Sequence, residues 1–183
     1  MARVLVPLAE GCEELEAVTI IDLLRRAGIE VVSAGLKPGI VKASRGVQLV
    51  PDTTLDAALT EDYDMVVLPG GMPGAQNLND DPRVIALLKR MAEAGRYTAA
   101  ICAAPVVLAA AGVLAGRAAT SYPGFLDKMN LADVTCKTDS VVQDGRVITS
   151  RGPGTAMDFA LTLVGILAGE DKRQQVEAGL VRV

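Results

Sequence analysis

A doubly wound α/β sandwich, with a mostly parallel sheet and helices on both faces, is the architecture the sequence predicts. Three observations point to it. Short apolar runs that read as buried strands alternate with helical stretches along the whole chain. Half of the 183 residues are hydrophobic, yet aromatics make up 3% and tryptophan is absent, so the core is built from Ala, Val, Leu and Ile. No linker, internal repeat or low-complexity tract interrupts the alternation, which predicts one domain over residues 1–183.

The elements follow in order. Arg3 to Leu8 reads as a first strand and Glu13 to Ala27 as a helix, with Leu15, Val18, Ile21 and Leu24 as its apolar stripe and Gly28 as its stop. Ile29 to Ala34 is a second strand. After Lys37-Pro38-Gly39, Ile40 to Val50 reads as a small hairpin around Ser44-Arg45-Gly46. A short helix near Leu55 to Leu59 precedes a third strand, Met65 to Leu68, and a tight loop, Pro69 to Gly74. Asp81 as cap and Pro82 at the first position open a helix ending at Gly95. Tyr97 to Ile101 is a buried strand, and Pro105 starts the helix that continues through Ala111. A short strand (Arg117 to Thr120), a helical turn (Phe125 to Met129) and a hairpin turning at Asp144-Gly145 come next. Arg151-Gly152-Pro153-Gly154 launches a long helix, Thr155 to Ala168, and Asp171 to Ala178 is a last short one.

Composition narrows the function. A net charge of −4 gives no electrostatic reason for nucleic acid or an anionic membrane as partner. Residues 1–9 read as a strand rather than a signal peptide, and no apolar stretch reaches transmembrane length. Three scattered cysteines (Cys12, Cys102 and Cys136) make neither a disulfide framework nor a metal-ligand spacing, so a reducing, cytoplasmic location is the expectation. Histidine is absent altogether, which disfavours a typical zinc or non-haem iron site; no metal is expected.

The residue that carries chemistry is Cys102, at the turn between a buried strand and a helix N-terminus. Free N–H groups and the positive dipole end favour a thiolate there, so a thiol pKa below the ordinary value of about 8.5 is expected. An inert buried cysteine is the plain alternative. In such a sheet ligands bind beyond the carboxyl ends of the strands, and three loops meet that description: Glu10 to Glu16, Pro69 to Gly74, and Cys102 itself. Gly70-Gly71 reads either as an oxyanion loop, with the N–H after Cys102 (Ala103) as second donor, or as ordinary turn chemistry. Glu13 and Glu14 read as dipole-complementing residues on a solvated face. Glu16 differs: turned toward the sheet end beside a thiolate, its pKa should rise and the pair should titrate as one unit. Cys12 reads as a loop cysteine, exposed or without a role, and Cys136 as structural.

Four stretches, RVLVPLAEGCEELEAVTIIDLLRRAGIEV, MVVLPGGMPGAQNL, AAICAAP and ITSRGPGTAMDFAL, resemble the ThiJ/PfpI superfamily, and within it the Parkinson-associated deglycase branch with its bacterial YajL-like relatives. The resemblance spans essentially the whole chain. It implies a flavodoxin-like fold, a homodimer, Cys102 as reactive cysteine and Glu16 as the glutamate contacting it, with Gly71 and Ala103 as backbone donors. Arg45 matches an arginine near the dimer interface and pocket, beside the reading of a plain surface-loop arginine. Arg151 and Pro153 match a motif lining the same region. Two positions depart from relatives. Ala103 stands where protease-like members carry histidine, which argues against peptidase activity, and Tyr122-Pro123 stands where some members have a pocket histidine. The implied activity is a cofactor-independent glyoxalase or protein deglycase acting on methylglyoxal, glyoxal and early glycation adducts of side chains, with no glutathione, metal or nucleotide. A redox-responsive chaperone or oxidative-stress sensor using the same cysteine is the alternative. An inactive interaction module is a third.

Overall fold

The computed structural model describes residues 1–182. Chain order is β1 (Arg3–Leu8), α1 (Glu14–Arg26), β2 (Glu30–Gly35), β3 (Val41–Lys42), β4 (Gln48–Leu49), β5 (Thr53–Thr54), α2 (Leu55–Ala58), β6 (Met65–Leu68), α3 (Gly74–Asp80), α4 (Pro82–Glu93) and β7 (Tyr97–Ile101). It continues with α5 (Pro105–Ala110), β8 (Ala118–Ala119), β9 (Thr135–Cys136), β10 (Val141–Asp144), β11 (Val147–Ser150), α6 (Ala156–Ala168) and α7 (Glu170–Ala178). Seven strands form one sheet in the order β10-β11-β7-β6-β1-β2-β5. Every pair in it is parallel except β10 with β11, the hairpin at the edge. This is the predicted doubly wound, flavodoxin-like architecture.

Both faces of the sheet are covered, which is why its strands read as continuous apolar runs. Alternate residues of β1 serve opposite cores. Val4, Val6 and Leu8 pack with Ile20 and Leu24 of α1 and Phe159 and Leu163 of α6. Leu5 instead joins Val66, Leu88 of α4 and Leu108 of α5. Each such fully buried aliphatic side chain contributes about 1.5–3 kcal/mol, and β1 is flanked by parallel neighbours on both edges.

Several local expectations need correction. The buried stripe of α1 is Glu16, Ala17, Ile20, Leu23 and Leu24, whereas Leu15 and Val18 are half exposed. The apolar residues were the conspicuous ones, but the helix start is wedged against polar loops and turns its acids inward. The segment after the Pro69–Gly74 loop is helical (α3), hidden by its Gly and Asn content. β5 adds a two-residue strand to the sheet edge. Cys136 lies exposed on the small β8–β9 pairing rather than in a core, and Cys12 is fully buried rather than an exposed loop thiol. Asp81 caps α4 as expected, accepting from Arg83 N–H at 2.9 Å.

Candidate active site

Cys102 follows β7 directly and adopts φ 64, the left-handed region that a non-glycine residue enters at a cost of about 1–3 kcal/mol. The surrounding backbone holds it there. Its N–H donates to Ser150 O at 3.0 Å, and its carbonyl accepts from Tyr122 N–H at 2.8 Å. The chain then turns into α5, with Pro105 at its first position. The elbow lifts the thiol off the end of the sheet while leaving Cys102 only 9% exposed.

Glu16 comes from the first turn of α1 and is fully buried. Its Oε2 accepts from Gly70 N–H at 2.8 Å, Oε1 has no hydrogen-bond partner among the described residues, and the Cys102 thiol is a polar neighbour of the carboxyl. Gly70 is required between them. A Cβ there would lie 2.6 Å from Cys102 Cβ, 2.8 Å from Ile101 O and 2.9 Å from Glu16 Oε2. Gly71, at φ 86, lets the loop double back, and a Cβ on it would meet Glu13 N at 2.4 Å.

Burial governs the electrostatics. It pushes the Glu16 carboxyl up to about 7, against the lowering effect of the Gly70 N–H and the Cys102 thiol, with the Glu13 charge adding to the rise. Burial also pushes the Cys102 thiol up to about 12, reinforced by the Glu16 charge and countered by the N–H groups of Gly71 and Ala103 at the sulfur. The expected fall in thiol pKa is therefore reversed, because desolvation and a neighbouring carboxylate outweigh the backbone donors. The two groups form a coupled acid: between about 7 and about 12 the pair holds one proton and one negative charge.

The other candidate residues divide. The Gly70 N–H is taken by Glu16, so it positions the carboxyl instead of facing an oxyanion; Gly71 and Ala103 are the donors at the sulfur. Tyr122 is joined to Cys102 through its backbone, and its half-exposed ring packs on Gly152 and meets Phe125 edge-on at 6.2 Å. Arg151 directly follows Ser150 and donates to Thr138 O at 3.0 Å. Tyr122 and Arg151 share a cleft of about 200 Å³ with Cys136 and Thr138. Pro153 opens the 3-10 turn Pro153–Thr155 before α6. Arg45 is exposed at the tip of the β3–β4 hairpin, where its backbone N–H donates to Glu14 at 2.9 Å.

Glu14 is the residue sequence reasoning misplaced. It is buried, and it accepts from the Ser44 hydroxyl and the N–H groups of Arg45 and Val47, clamping the hairpin to the start of α1. The signal was the spacing Glu14-Leu15-Glu16: residues two apart point about 200° apart on a helix. Glu14 thus serves the hairpin on one side and Glu16 the sheet end on the other.

A sequence profile of the DJ-1/PfpI family matches residues 2–165. Drosophila melanogaster protein dj-1beta is 48% identical over 180 residues, covering 97% of this chain and 95% of that protein. The glutathione-independent glyoxalase DJR-1.2 of Caenorhabditis elegans is 40% identical over 171 residues, covering 93% of this chain and 90% of that protein. The crystal structure of Drosophila DJ-1beta superposes with a TM-score of 0.95 at 45% identity, covering all of this chain and 98% of that one. On the profile match, the near full-length identity and the shared fold together, the chain belongs to the DJ-1/PfpI family.

Proposed function

We propose that the protein is a glutathione-independent glyoxalase that converts methylglyoxal to lactate and glyoxal to glycolate, and that removes early glycation adducts by the same chemistry. The observation that carries this reading is the Cys102–Glu16 pair, a thiol on a strained backbone against a buried carboxyl that titrates near neutrality. The glyoxalase name of the Caenorhabditis relative supports it.

In this reading the Cys102 sulfur adds to the aldehyde carbon, and the thiol proton reaches the new alkoxide by way of Glu16, giving a hemithioacetal. The N–H groups of Gly71 and Ala103 stabilise the developing oxyanion. Glu16, again a carboxylate, takes the proton from the former aldehyde carbon as the ketone oxygen is protonated, giving an enediol. It then returns a proton to the adjacent carbon while the hydroxyl on the sulfur-bearing carbon loses its own, leaving a lactoyl thioester. Water then cleaves the thioester to lactate and frees the thiol, so the net change is addition of one water. A carboxyl near pKa 7 suits this work because both protonation states are populated at the operating pH. Tyr122 and Arg151 line the approach. No metal, nucleotide or thiol cofactor enters the scheme.

A homodimer completes the reading. Leu15 and Val18 on α1, with Val47 and Val50 at the hairpin, are all about half exposed or more, an apolar surface suited to a second copy. Cytoplasmic residence fits the free thiols. Among the described residues no helix is long and apolar enough to cross a membrane.

The decisive experiment follows loss of methylglyoxal and appearance of lactate without glutathione, for wild type and Cys102→Ser. Turnover by wild type alone supports the enzyme. No turnover by either protein, with peroxide still oxidising Cys102, would shift the reading to the redox chaperone or sensor.

A further inference from the structure

The Cys102 site occupies the carboxyl end of the sheet. At the opposite end, just before β7 and β11, three arginines face one cleft of about 260 Å³: Arg96, Arg117 and Arg146. The parallel pairing of β7 with β11 brings the first two strand ends together, and Thr98 N–H donates to Arg146 O at 3.0 Å. Arg117 enters from the segment before β8, beside Gly145, where a Cβ would lie 3.1 Å from its Nη1. No acidic side chain lines the cleft itself.

Two carboxylates stand behind these cations. Asp64 pairs with Arg96 at 2.7 Å. Arg117 donates to the Asp144 carbonyl at 3.2 Å and reaches its carboxylate at 3.5 Å, the other carboxylate oxygen accepting from Ala118 N–H at 2.8 Å. Arg146 pairs with no carboxylate among the described residues; its guanidinium lies over the Tyr97 ring, 4.9 Å from the centroid. Thr98, the second residue of β7, also lines the cleft. In a chain of net charge −4, three guanidiniums around one hollow call for an anion.

A neighbouring cavity of about 390 Å³ shares Arg96 and Arg146 and adds Tyr97, Ile166 and Leu167. Asp64 also lines it, beside Arg96, next to the apolar surface of Tyr97, Ile166 and Leu167. We propose that the two cavities form one site for an organic phosphomonoester: the phosphate dianion sits among Arg96, Arg117, Arg146 and the Thr98 hydroxyl, and the organic part lies against Tyr97, Ile166 and Leu167. Guanidinium forks match the oxygens of a phosphate, and a dianion draws on more than one of them. A polyanion such as nucleic acid has no such match, since the basic surface is confined to this hollow of an acidic protein.

The test is titration of the full chain with phenyl phosphate and, separately, inorganic phosphate at low ionic strength, read by calorimetry and by amide NMR shifts. Saturable binding is expected, with shifts at Thr98, Gly145 and Arg146 and with phenyl phosphate tighter than inorganic phosphate. Arg146→Gln should weaken phenyl phosphate about tenfold or more. Thr98→Val, nearly isosteric, should weaken it while preserving the fold, and Cys102→Ser should leave it unchanged. An absence of saturable binding would overturn the proposal, as would shifts centred on Cys102, equal affinity for the two ligands, or affinity unaffected by Arg146→Gln and Thr98→Val.

Discussion

Cys102 and Glu16 lie together at the sheet end, and in the proposed reaction they act as one unit, so single substitutions should separate their parts. Cys102→Ser is expected to reduce methylglyoxal turnover to the uncatalysed rate, while Cys136→Ser leaves it intact. Cys12 is fully buried, so its neutral control is Cys12→Ala; a serine would bury a hydroxyl. Glu16→Gln keeps a hydrogen-bonding group at Gly70 but exchanges no proton. Turnover should fall about 10²- to 10⁴-fold, while iodoacetamide still alkylates Cys102; alkylation rates and lactate production measured side by side check this. Gly70→Ala places a methyl group against Cys102 and the Ile101 carbonyl. It should cost about 1–3 kcal/mol in urea unfolding and displace the thiol from Glu16. The identity of this pair was legible in sequence, because a cysteine between a buried strand and a helix start has few plain explanations. The direction of the thiol pKa was not. It depends on how completely three separate loops exclude water, and that is a property of packing.

Among the elements, the β3–β4 hairpin and the start of α1 depend on each other through Glu14. Burial alone would raise the Glu14 pKa, but the N–H and hydroxyl bonds it accepts outweigh that and hold it below the usual carboxylate value. The stabilisation it gives is therefore present above the unfolded carboxyl pKa and is lost as pH falls through the depressed folded value. Glu14→Ala should speed amide hydrogen exchange at Arg45 and Val47 at neutral pH, with wild type approaching the same rates only in acid. Elements with one strong local signal were readable from sequence, namely β1, β6 and β7 from their apolar runs and α4 from Asp81-Pro82. α3 was not, since Gly74 and its Asn residues are poor helix formers, and tertiary packing of Ala75 and Leu78 supplies the stability instead. The stripe of α1 was right at Leu24 and wrong at its start, because Leu15 and Val18 look like core residues until the loops that bury Glu14 and Glu16 are in place.

For the molecule as a whole, pH dependence above pH 5 reports on Glu16. Its folded pKa, about 7, lies above the ordinary 4.5, so the native state holds this proton more tightly than the unfolded chain does. Stability is then full below about 4.5 and declines as pH rises through 7, by about 3 kcal/mol in total. Asp52 and Asp81, whose pKa values are lowered, act only in more acidic solution. Urea unfolding at pH 5 and pH 8 should show wild type weaker at pH 8 and Glu16→Gln nearly level. At the same scale, Leu15→Asp with Val18→Asp should convert the proposed dimer to monomer in sedimentation velocity without unfolding it. Finally, the elbow at Cys102 is stapled by Tyr122 and by Ser150, residues made 20 and 48 positions later. While the polypeptide is still being synthesised, Cys102 is made before either staple exists. It is then an ordinary thiol on a flexible chain, so a nascent or truncated product lacking Ser150 carries the thiol but none of its geometry.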